Sequence, residues 1–183
     1  MIVYVVLHDI AKNKPQEEVM SMAYNSLFAH FDSKFLVAHN SKGVVCIDRG
    51  KDQFVFSYLQ DKHQQGVTYV DGNAHQLERI MHYSVTTDGA SHLSSLVDIA
   101  LGGFRFCVNL SKQPNKEVKQ ALANSLLKPL SKALWSGDYN GQRQVTGFGY
   151  LPHPRGEIRI ESYKEKYKTL AEDLQRWSSE SPD

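Results

Sequence analysis

The sequence predicts a single α/β domain in which one mixed sheet is flanked by helices, and two apolar patterns support that fold class. Apolar runs rich in β-branched residues at 1–7 and 44–47 are typical of strands that are covered on both faces. Elsewhere apolar residues recur every three or four positions, as they do in helices with one buried face. A length of 183 residues suits one domain, which we expect at 1–177, followed by a flexible tail at 178–183.

The composition excludes several classes of protein. Hydrophobic residues make up 41% of the chain and charged residues 22%, which is too apolar for intrinsic disorder. A net charge of +1 gives no overall attraction to nucleic acid or membranes, although it leaves local binding open. Cys46 and Cys107 lie in apolar runs, so we expect buried, reduced thiols in a cytosolic protein. The N-terminal stretch lacks the basic start and the cleavage site of a secretory signal.

In the first half of the chain, a helix is predicted between two strands. Glu17 and Glu18 suit a helix N-terminus, and an apolar face continues for about 20 residues until the polar segment 32–34 weakens the last turns. The second strand ends abruptly in Asp48, which places a carboxylate at its C-terminal end. Residues 53–64 fit a short helix, but alternating aromatic residues leave a strand open as an alternative.

In the middle of the chain, short extended segments are predicted at 66–69 and 77–85, and a helix follows at about 93–108. Ser91 or Ser94 can cap this helix. The pair Gly102-Gly103 disfavours a helix by roughly 1 kcal/mol per glycine. We therefore expect these glycines to allow close approach to a strand.

The last third is predicted to begin with a helix from Asn115 to Trp135, kinked at Pro129. The residues predicted to face inward on this helix are Val118, Leu122, Leu126, Leu130, Ala133 and Leu134. A loop at 136–154 and an edge strand at 155–161, where charged and apolar residues alternate, come next. A final helix is predicted to have an apolar face formed by Tyr163, Tyr167, Leu170, Leu174 and Trp177.

Two carboxylates are the strongest candidates for chemistry. Asp48 ends a predicted strand, and Asp98 lies in a helix with apolar neighbours. Carboxylates from distant positions suit a site for Mg²⁺ or Mn²⁺, which activates water for phosphodiester hydrolysis. The alternatives are a turn residue that accepts backbone N–H bonds, for Asp48, and a surface acid paired with Arg105, for Asp98.

Two segments resemble motifs of a known family. Residues 43–49, Gly-Val-Val-Cys-Ile-Asp-Arg, resemble a strand motif of a large bacterial family that is catalogued as a domain of unknown function. Residues 95–106 are similar to that family's helix motif, in which Gln-Leu-Ala-Asp precedes a Gly-Ala pair and an arginine. Members usually begin with an Asp-Glu-Ser-Gly strand, and their fold looks like ribonuclease H. The similarity covers residues 1–135.

The resemblance implies a metal-dependent nuclease, with Asp48 and Asp98 at positions of its acidic Mg²⁺ or Mn²⁺ site. Two departures weaken that implication. Ser95 replaces the glutamine of the helix motif, and the chain contains no Asp-Glu-Ser-Gly segment. We therefore expect a ribonuclease-H-like domain that is N-terminally incomplete, is completed by another chain, or is catalytically inactive.

Several other features favour weaker hypotheses. The pair His8-Asp9 follows the first strand and is an element of metal phosphohydrolases, although a lone dipeptide is a weak motif. Tyr139, Phe148 and Tyr150 could stack on nucleic acid bases if exposed, or fold back over the core.

A basic segment follows the Asp98 helix. It contains Arg105, Lys112, Lys116, Lys119, Lys128 and Lys132 and one acid, Glu117. Such a stripe can contact a phosphate backbone, and the alternative is a solvated helix face. The leading hypothesis is a nuclease that holds nucleic acid on this stripe. The competing hypothesis is a non-catalytic subunit that binds nucleic acid, a partner protein or a second copy through the open edge of the Met1 strand.

Overall fold

The structure is a computed structural model and describes residues 1–6, 11–48, 52–68, 73–86, 92–111, 117–153 and 161–180. The chain is an α/β protein, as predicted. The helices of its described part are α1 (Gln16–His30), α2 (Asp52–Gln65), α3 (His92–Ser111), α4 (Glu117–Lys132) and α5 (Glu161–Ser179). The strands are β1 (Val3–Val6), β2 (Gly43–Asp48), β3 (Val67–Thr68), β4 (Ala74–His75), β5 (Ile80–Thr86), β6 (Gly137–Tyr139), β7 (Gln142–Gln144) and β8 (Tyr150–His153).

The described strands form four two-stranded sheets and do not form the single mixed sheet that the sequence predicts. β1 pairs with β8, and β2 pairs with β5, both in parallel. The other two sheets, β3 with β4 and β6 with β7, are antiparallel. Apolar runs identify strands, but they carry little information about which strands pair. Each sheet therefore has open edges among the described residues.

The chain divides into two compact units. The first unit contains residues 1–7 and 96–183, and the second contains residues 8–95. Each unit has its own cluster of buried apolar side chains. The units are described separately below.

In the second unit, α1 continues directly into a π-helix at Phe31–Leu36. This π-helix includes the polar segment 32–34 that the sequence analysis identified as weakening the helix. The core of the unit is made by Phe28, Ala29, Leu36, Ile47, Tyr58, Leu59, Val67 and Ile80. The alternative left open for residues 53–64 is settled in favour of a helix, α2.

The parallel pair β2–β5 is covered on one face only. Ile47 is buried, whereas Val44 and Cys46, which point to the other face, are exposed. The prediction that this strand is covered on both faces is therefore wrong, and so is the prediction of a buried Cys46. Cys107 is buried as predicted, and both cysteines are unpaired.

In the first unit, α3, α4 and α5 surround a core together with β1 and β8. Its buried residues are Val3, Phe104, Cys107, Ala123, Leu127, Leu134, Val145, Tyr150, Leu170, Leu174 and Trp177. The predicted inward positions Leu170, Leu174 and Trp177 of the last helix are confirmed. α5 continues through Ser179, two residues beyond the predicted boundary at 177.

The buried face of α4 differs from the predicted one. Ala123, Leu127 and Ser131 are fully buried, whereas the three apolar residues Val118, Leu122 and Leu126 are exposed. Both sets recur every four residues, so helical periodicity alone could not distinguish the covered face from the open one. The prediction is therefore wrong for these three residues and for Ala133, which is exposed as well. It is right for Leu134, and Leu130 is partly buried against the core.

Further predictions concern the glycine pair at 102 and 103 and the segment 136–161. A side chain at Gly102 would meet nothing within 4 Å, so this glycine does not serve close packing. Gly103 faces the Leu130 side chain of α4 and not a strand. The predicted loop 136–154 contains the hairpin β6–β7 and the strand β8. The strand predicted at 155–161 lies almost wholly outside the described residues.

None of the helices in the described part of the chain combines the length and the apolar character that a membrane span requires.

Candidate functional site

The carboxyl end of the β2–β5 pair is the candidate site in the second unit. Asp48 is the last residue of β2, and its register partner Thr86 is the last residue of β5. α2 begins at Asp52, four positions after Asp48 along the chain. The Thr86 hydroxyl lies 3.5 Å from the Ser94 hydroxyl in the first turns of α3. In α/β proteins, ligands bind where parallel strands end and helices begin, so Asp48 occupies a suitable backbone position.

Asp98 belongs to a different surface. It is exposed on α3, on the side of the helix opposite to Phe104 and Cys107, which enter the core of the first unit. Arg105, seven residues further along, is exposed on the same side as Asp98. Asp48 lies in the second unit and Asp98 in the first, so neither unit contains both predicted metal ligands.

The acidic metal centre that the family resemblance implies stays a prediction, because the side chain of Asp48 lies outside the part of the chain that the structure describes. Among the side chains that the structure describes, no three His, Cys, Asp or Glu residues lie close enough together to hold a metal ion. A site for Mg²⁺ or Mn²⁺ that activates water needs several oxygen ligands around one point. An exposed helical carboxylate such as Asp98 does not by itself supply such a set.

The described residues of the predicted basic stripe lie on two helices. Arg105 is exposed on α3, whereas Lys119 and Lys132 are exposed on α4. Lys128 forms an ion pair of 2.7 Å with Glu180, and this pair holds the pKa of the Glu180 carboxyl below its usual value. The remaining two, Lys112 and Lys116, lie outside the described residues, as does the pair His8-Asp9.

Of the three aromatic residues proposed for base stacking, the structure leaves one accessible. Tyr139 is exposed at the end of β6. Phe148 packs edge-on against Trp135 with 5.3 Å between ring centroids. Tyr150 is fully buried, and its hydroxyl has no hydrogen-bond partner among the described residues.

A buried carboxylate that no sequence motif indicated lies in the second unit. Asp32 is only 3% exposed. Its Oδ1 accepts a 2.7 Å hydrogen bond from the backbone N–H of Arg79, and its Oδ2 lies 3.2 Å from Nε2 of His75. Asp32 thus links the π-helix to the end of β4, through His75, and to the residue before β5, through Arg79. The signal in the sequence was an acid in a polar segment that is flanked on both sides by phenylalanine, Phe31 and Phe35.

Next to it lies a cluster of aromatic rings. Tyr58 donates a 2.6 Å hydrogen bond to Oδ1 of Asn25, and its ring contacts those of Tyr24 and Phe28. Tyr83 packs against Phe28 as well. Burial, followed by the negative charge of Asp32, raises the pKa of Tyr83 to about 12. These contacts stabilise the core of the second unit.

The described surface includes a cleft in each unit. A cleft of about 390 Å³ runs beside β5, lined by Leu59, Gln60, His63, Met81, His82, Tyr83, Ser84 and Val85. A second cleft, of about 470 Å³, is lined by Gln142, Arg143, Gln144, Thr146, Ala171, Glu172, Gln175 and Arg176. Its walls are joined by Gln175, which accepts from the N–H of Val145 at 2.9 Å and donates to the carbonyl of Arg143 at 2.8 Å. Neither cleft contains a predicted site residue.

Comparison of the chain with protein families, with curated proteins and with solved structures finds no significant match in any of the three.

Proposed function

We propose that this chain is a binding subunit built on a nuclease-like, ribonuclease-H-like α/β scaffold, and that it does not itself hydrolyse phosphodiesters. The observation that carries the proposal is the set of large apolar side chains on the outer faces of α3 and α4. These are Leu96, Val97, Ile99, Leu101, Phe106, Val118, Leu122 and Leu126. Many large apolar side chains exposed on two neighbouring helices of a folded protein favour an interaction site for another macromolecule.

The acidic residues support the same proposal. Asp98 is exposed on α3 between the exposed apolar residues Val97 and Ile99, and among the described side chains it belongs to no group of three possible metal ligands. Two unpaired cysteines agree with a cytosolic setting for the protein, which is part of the proposal.

Metal titration of the folded full-length chain tests the proposal. We expect isothermal titration with millimolar Mn²⁺ to give no binding heat, and we expect no cleavage of single-stranded or duplex DNA or RNA. Far-UV circular dichroism of the same sample establishes that the protein is folded. Stoichiometric Mn²⁺ binding together with metal-dependent cleavage would overturn the proposal.

The second candidate function is a divergent Mg²⁺- or Mn²⁺-dependent nuclease, and the position of Asp48 favours it. Asp48 ends β2 beside Thr86, at the carboxyl end of a parallel pair where α/β proteins bind ligands. If this candidate is correct, Mn²⁺-dependent cleavage falls at least 100-fold in Asp48→Asn and in Asp98→Asn, on the scale of losing a charge-stabilising catalytic group. Glu172→Gln, at an exposed acid of α5, is the matched control and keeps full activity.

Nucleic acid is the alternative partner of a non-catalytic subunit. Exposed Arg105 and Lys119 are the described residues of the predicted basic segment that would contact phosphates. Such binding weakens steeply with salt, because it releases counterions from the nucleic acid. Binding of a single-stranded oligonucleotide that is lost between 50 and 200 mM salt, and in Arg105→Ala, supports this alternative.

A further inference from the structure

The strand β5 of the second unit has one free edge. Its other edge pairs with β2, and no further strand among the described residues pairs with it. Apart from the bonds to β2, no backbone hydrogen bond of Met81–Val85 is found in the described part of the chain. An extended strand directs its N–H and C=O groups alternately to its two edges. The groups on the free edge of β5 are therefore available to another chain.

A cleft of about 390 Å³ lies along this free edge. Five consecutive residues, Met81–Val85, line one side of it. Because consecutive side chains of a strand point to opposite faces, all five residues meet one cleft only along the edge of the strand. Leu59, Gln60 and His63 of α2 line the other side. The free edge of β5 and the helix α2 thus form the two walls of a groove.

The free edge of β5 lacks the features that protect strand edges. Open edges in native proteins carry lysine, other charges or proline, or are interrupted by bulges. β5 is the longest strand of the described part, and its segment Ile80–Thr86 contains no acid, lysine, arginine or proline. Its register with β2 shifts only at Met81 and is regular from His82 to Thr86. An unprotected edge of this length is suited to pairing with a further strand.

We propose that the free edge of β5 binds an extended peptide segment of a partner protein, which joins the β2–β5 pair as a third strand. The edge itself selects this occupant, because an extended main chain presents N–H and C=O groups at the same repeat as β5. The cleft is lined by the apolar residues Leu59, Met81 and Val85, so alternate residues of the bound segment that face it are apolar. The site lies on other elements than the apolar faces of α3 and α4, and it goes beyond the proposed function.

Two other occupants fit this groove less well. A helix pairs its backbone groups internally, so it would leave those of the free edge without partners. A second copy would bring its own α2 beside its own β5. In an antiparallel pairing of the two β5 strands, both helices would flank the same face of strands that lie about 4.8 Å apart, whereas packed helices need about 8–10 Å between their axes.

Backbone-methylated peptides test the inference. The parent probe is a synthetic ten-residue peptide of alternating valine and threonine, with one lysine and one glutamate added at each end. One version carries N-methyl groups on every valine and the other on every threonine, so each version loses the N–H groups of one edge. In fluorescence anisotropy with the full-length chain, we expect the parent peptide to bind and one methylated version to bind at least tenfold more weakly. Equal binding of the two methylated versions, or no binding of the parent peptide, would overturn the inference.

Three variants assign the binding to the groove. Met81→Lys places a lysine on the free edge, and Gln60→Trp fills the groove from the exposed side of α2; each should weaken binding of the parent peptide at least tenfold. Val44→Lys is the matched control, because Val44 and Met81 are both 62% exposed but Val44 lies on β2. Circular dichroism checks the fold of each variant. Equal losses of binding in Met81→Lys and Val44→Lys would contradict the assignment.

Hydrogen exchange and sedimentation distinguish the remaining outcomes. The parent peptide should slow amide exchange in Met81–Val85 and leave exchange in Val3–Val6 of β1 unchanged. Slower exchange in β1 without any change in β5 would place the peptide on another edge and overturn the inference. A dimer that Met81→Lys dissociates would replace the peptide with a second copy.

Discussion

Asp32 is buried where α1 becomes a π-helix, and its two carboxylate oxygens contact Arg79 and His75 in the segment that leads to β5. A buried carboxylate is stable only when its oxygens have partners. The π-helix places Asp32 so that one short side chain meets both partners. This contact joins positions more than 40 residues apart in the chain, and it fixes the start of β5.

Asp32→Ala should therefore destabilise the protein by about 1–3 kcal/mol, because it leaves the part-buried Arg79 N–H without its acceptor. Urea unfolding followed by circular dichroism measures this change. Asp32→Asn keeps an oxygen for the N–H and should cost about half as much. Equal losses in the two variants would show that the backbone hydrogen bond contributes little.

The ionisation of Tyr83 makes the stability of the second unit depend on pH in the alkaline range. Burial and the charge of Asp32 raise its pKa to about 12, whereas an unfolded tyrosine titrates near 10. The folded state thus keeps the Tyr83 proton when the unfolded state has lost it. This contribution to stability is complete below about pH 10, and it is lost as the pH rises to about 12.

We expect the free energy of unfolding to fall less between pH 9 and pH 11 in Tyr83→Phe than in the parent protein, because the variant lacks the Tyr83 phenol. Urea midpoints at each pH measure this slope. Tyr139→Phe removes an exposed phenol and should leave the slope unchanged. If Tyr83→Phe does not alter the dependence of stability on pH, Tyr83 is not the cause of that dependence.

At the scale of the element, Gly102 makes the helix α3 less stable than an alanine at the same position would. Gly102 lies inside the helix, and a side chain there would contact nothing within 4 Å. Because glycine loses more backbone entropy than alanine on forming a helix, Gly102→Ala should stabilise the protein by about 0.5–1 kcal/mol. Thermal unfolding measures the gain.

Gly149 lies in an environment opposite to that of Gly102, because backbone atoms surround it closely. A Cβ atom there would lie 2.4 Å from the carbonyl oxygen of Trp135 and 2.5 Å from its nitrogen. Backbone atoms cannot yield as flexible side chains do, so Gly149→Ala should destabilise the protein by more than about 2 kcal/mol. Stabilisation by both substitutions would show that the close approach at Gly149 is absent.

Element identity was largely predictable because it depends on local spacing. The apolar face of α5 and the strand β2 were both derived from sequence and are confirmed. Which face of α4 is covered was not predictable, because Val118, Leu122 and Leu126 have the same period as the buried set. Asp48 was placed at the end of its strand from sequence, whereas the roles of Asp32 and His75 depend on contacts between distant segments.

At the scale of the whole molecule, the two buried clusters share no residue among those described. Trp135 and Trp177 both belong to the first unit, so tryptophan fluorescence reports on that unit alone. Leu127→Ala opens a cavity in the first core, and Ile80→Ala opens one in the second. Each substitution should cost about 2–5 kcal/mol.

We therefore expect Leu127→Ala to shift the unfolding transition seen by tryptophan fluorescence, and Ile80→Ala to shift the circular dichroism transition with little change in fluorescence. Val118→Ala, at an exposed site, is the control and should shift neither transition by more than about 0.5 kcal/mol. An equal shift of both signals in both core variants would show that the units unfold as one.

The parallel pairing of Val3 with Tyr150 also has a consequence for the order of folding. The first unit is interrupted in sequence by the whole of the second, so β1 leaves the ribosome long before β8 has been synthesised. Contacts with such a large sequence separation form slowly, and domains made of continuous sequence can fold during synthesis. The inserted unit is thus able to fold first, and β1, although it is translated early, is among the last segments to find its partner.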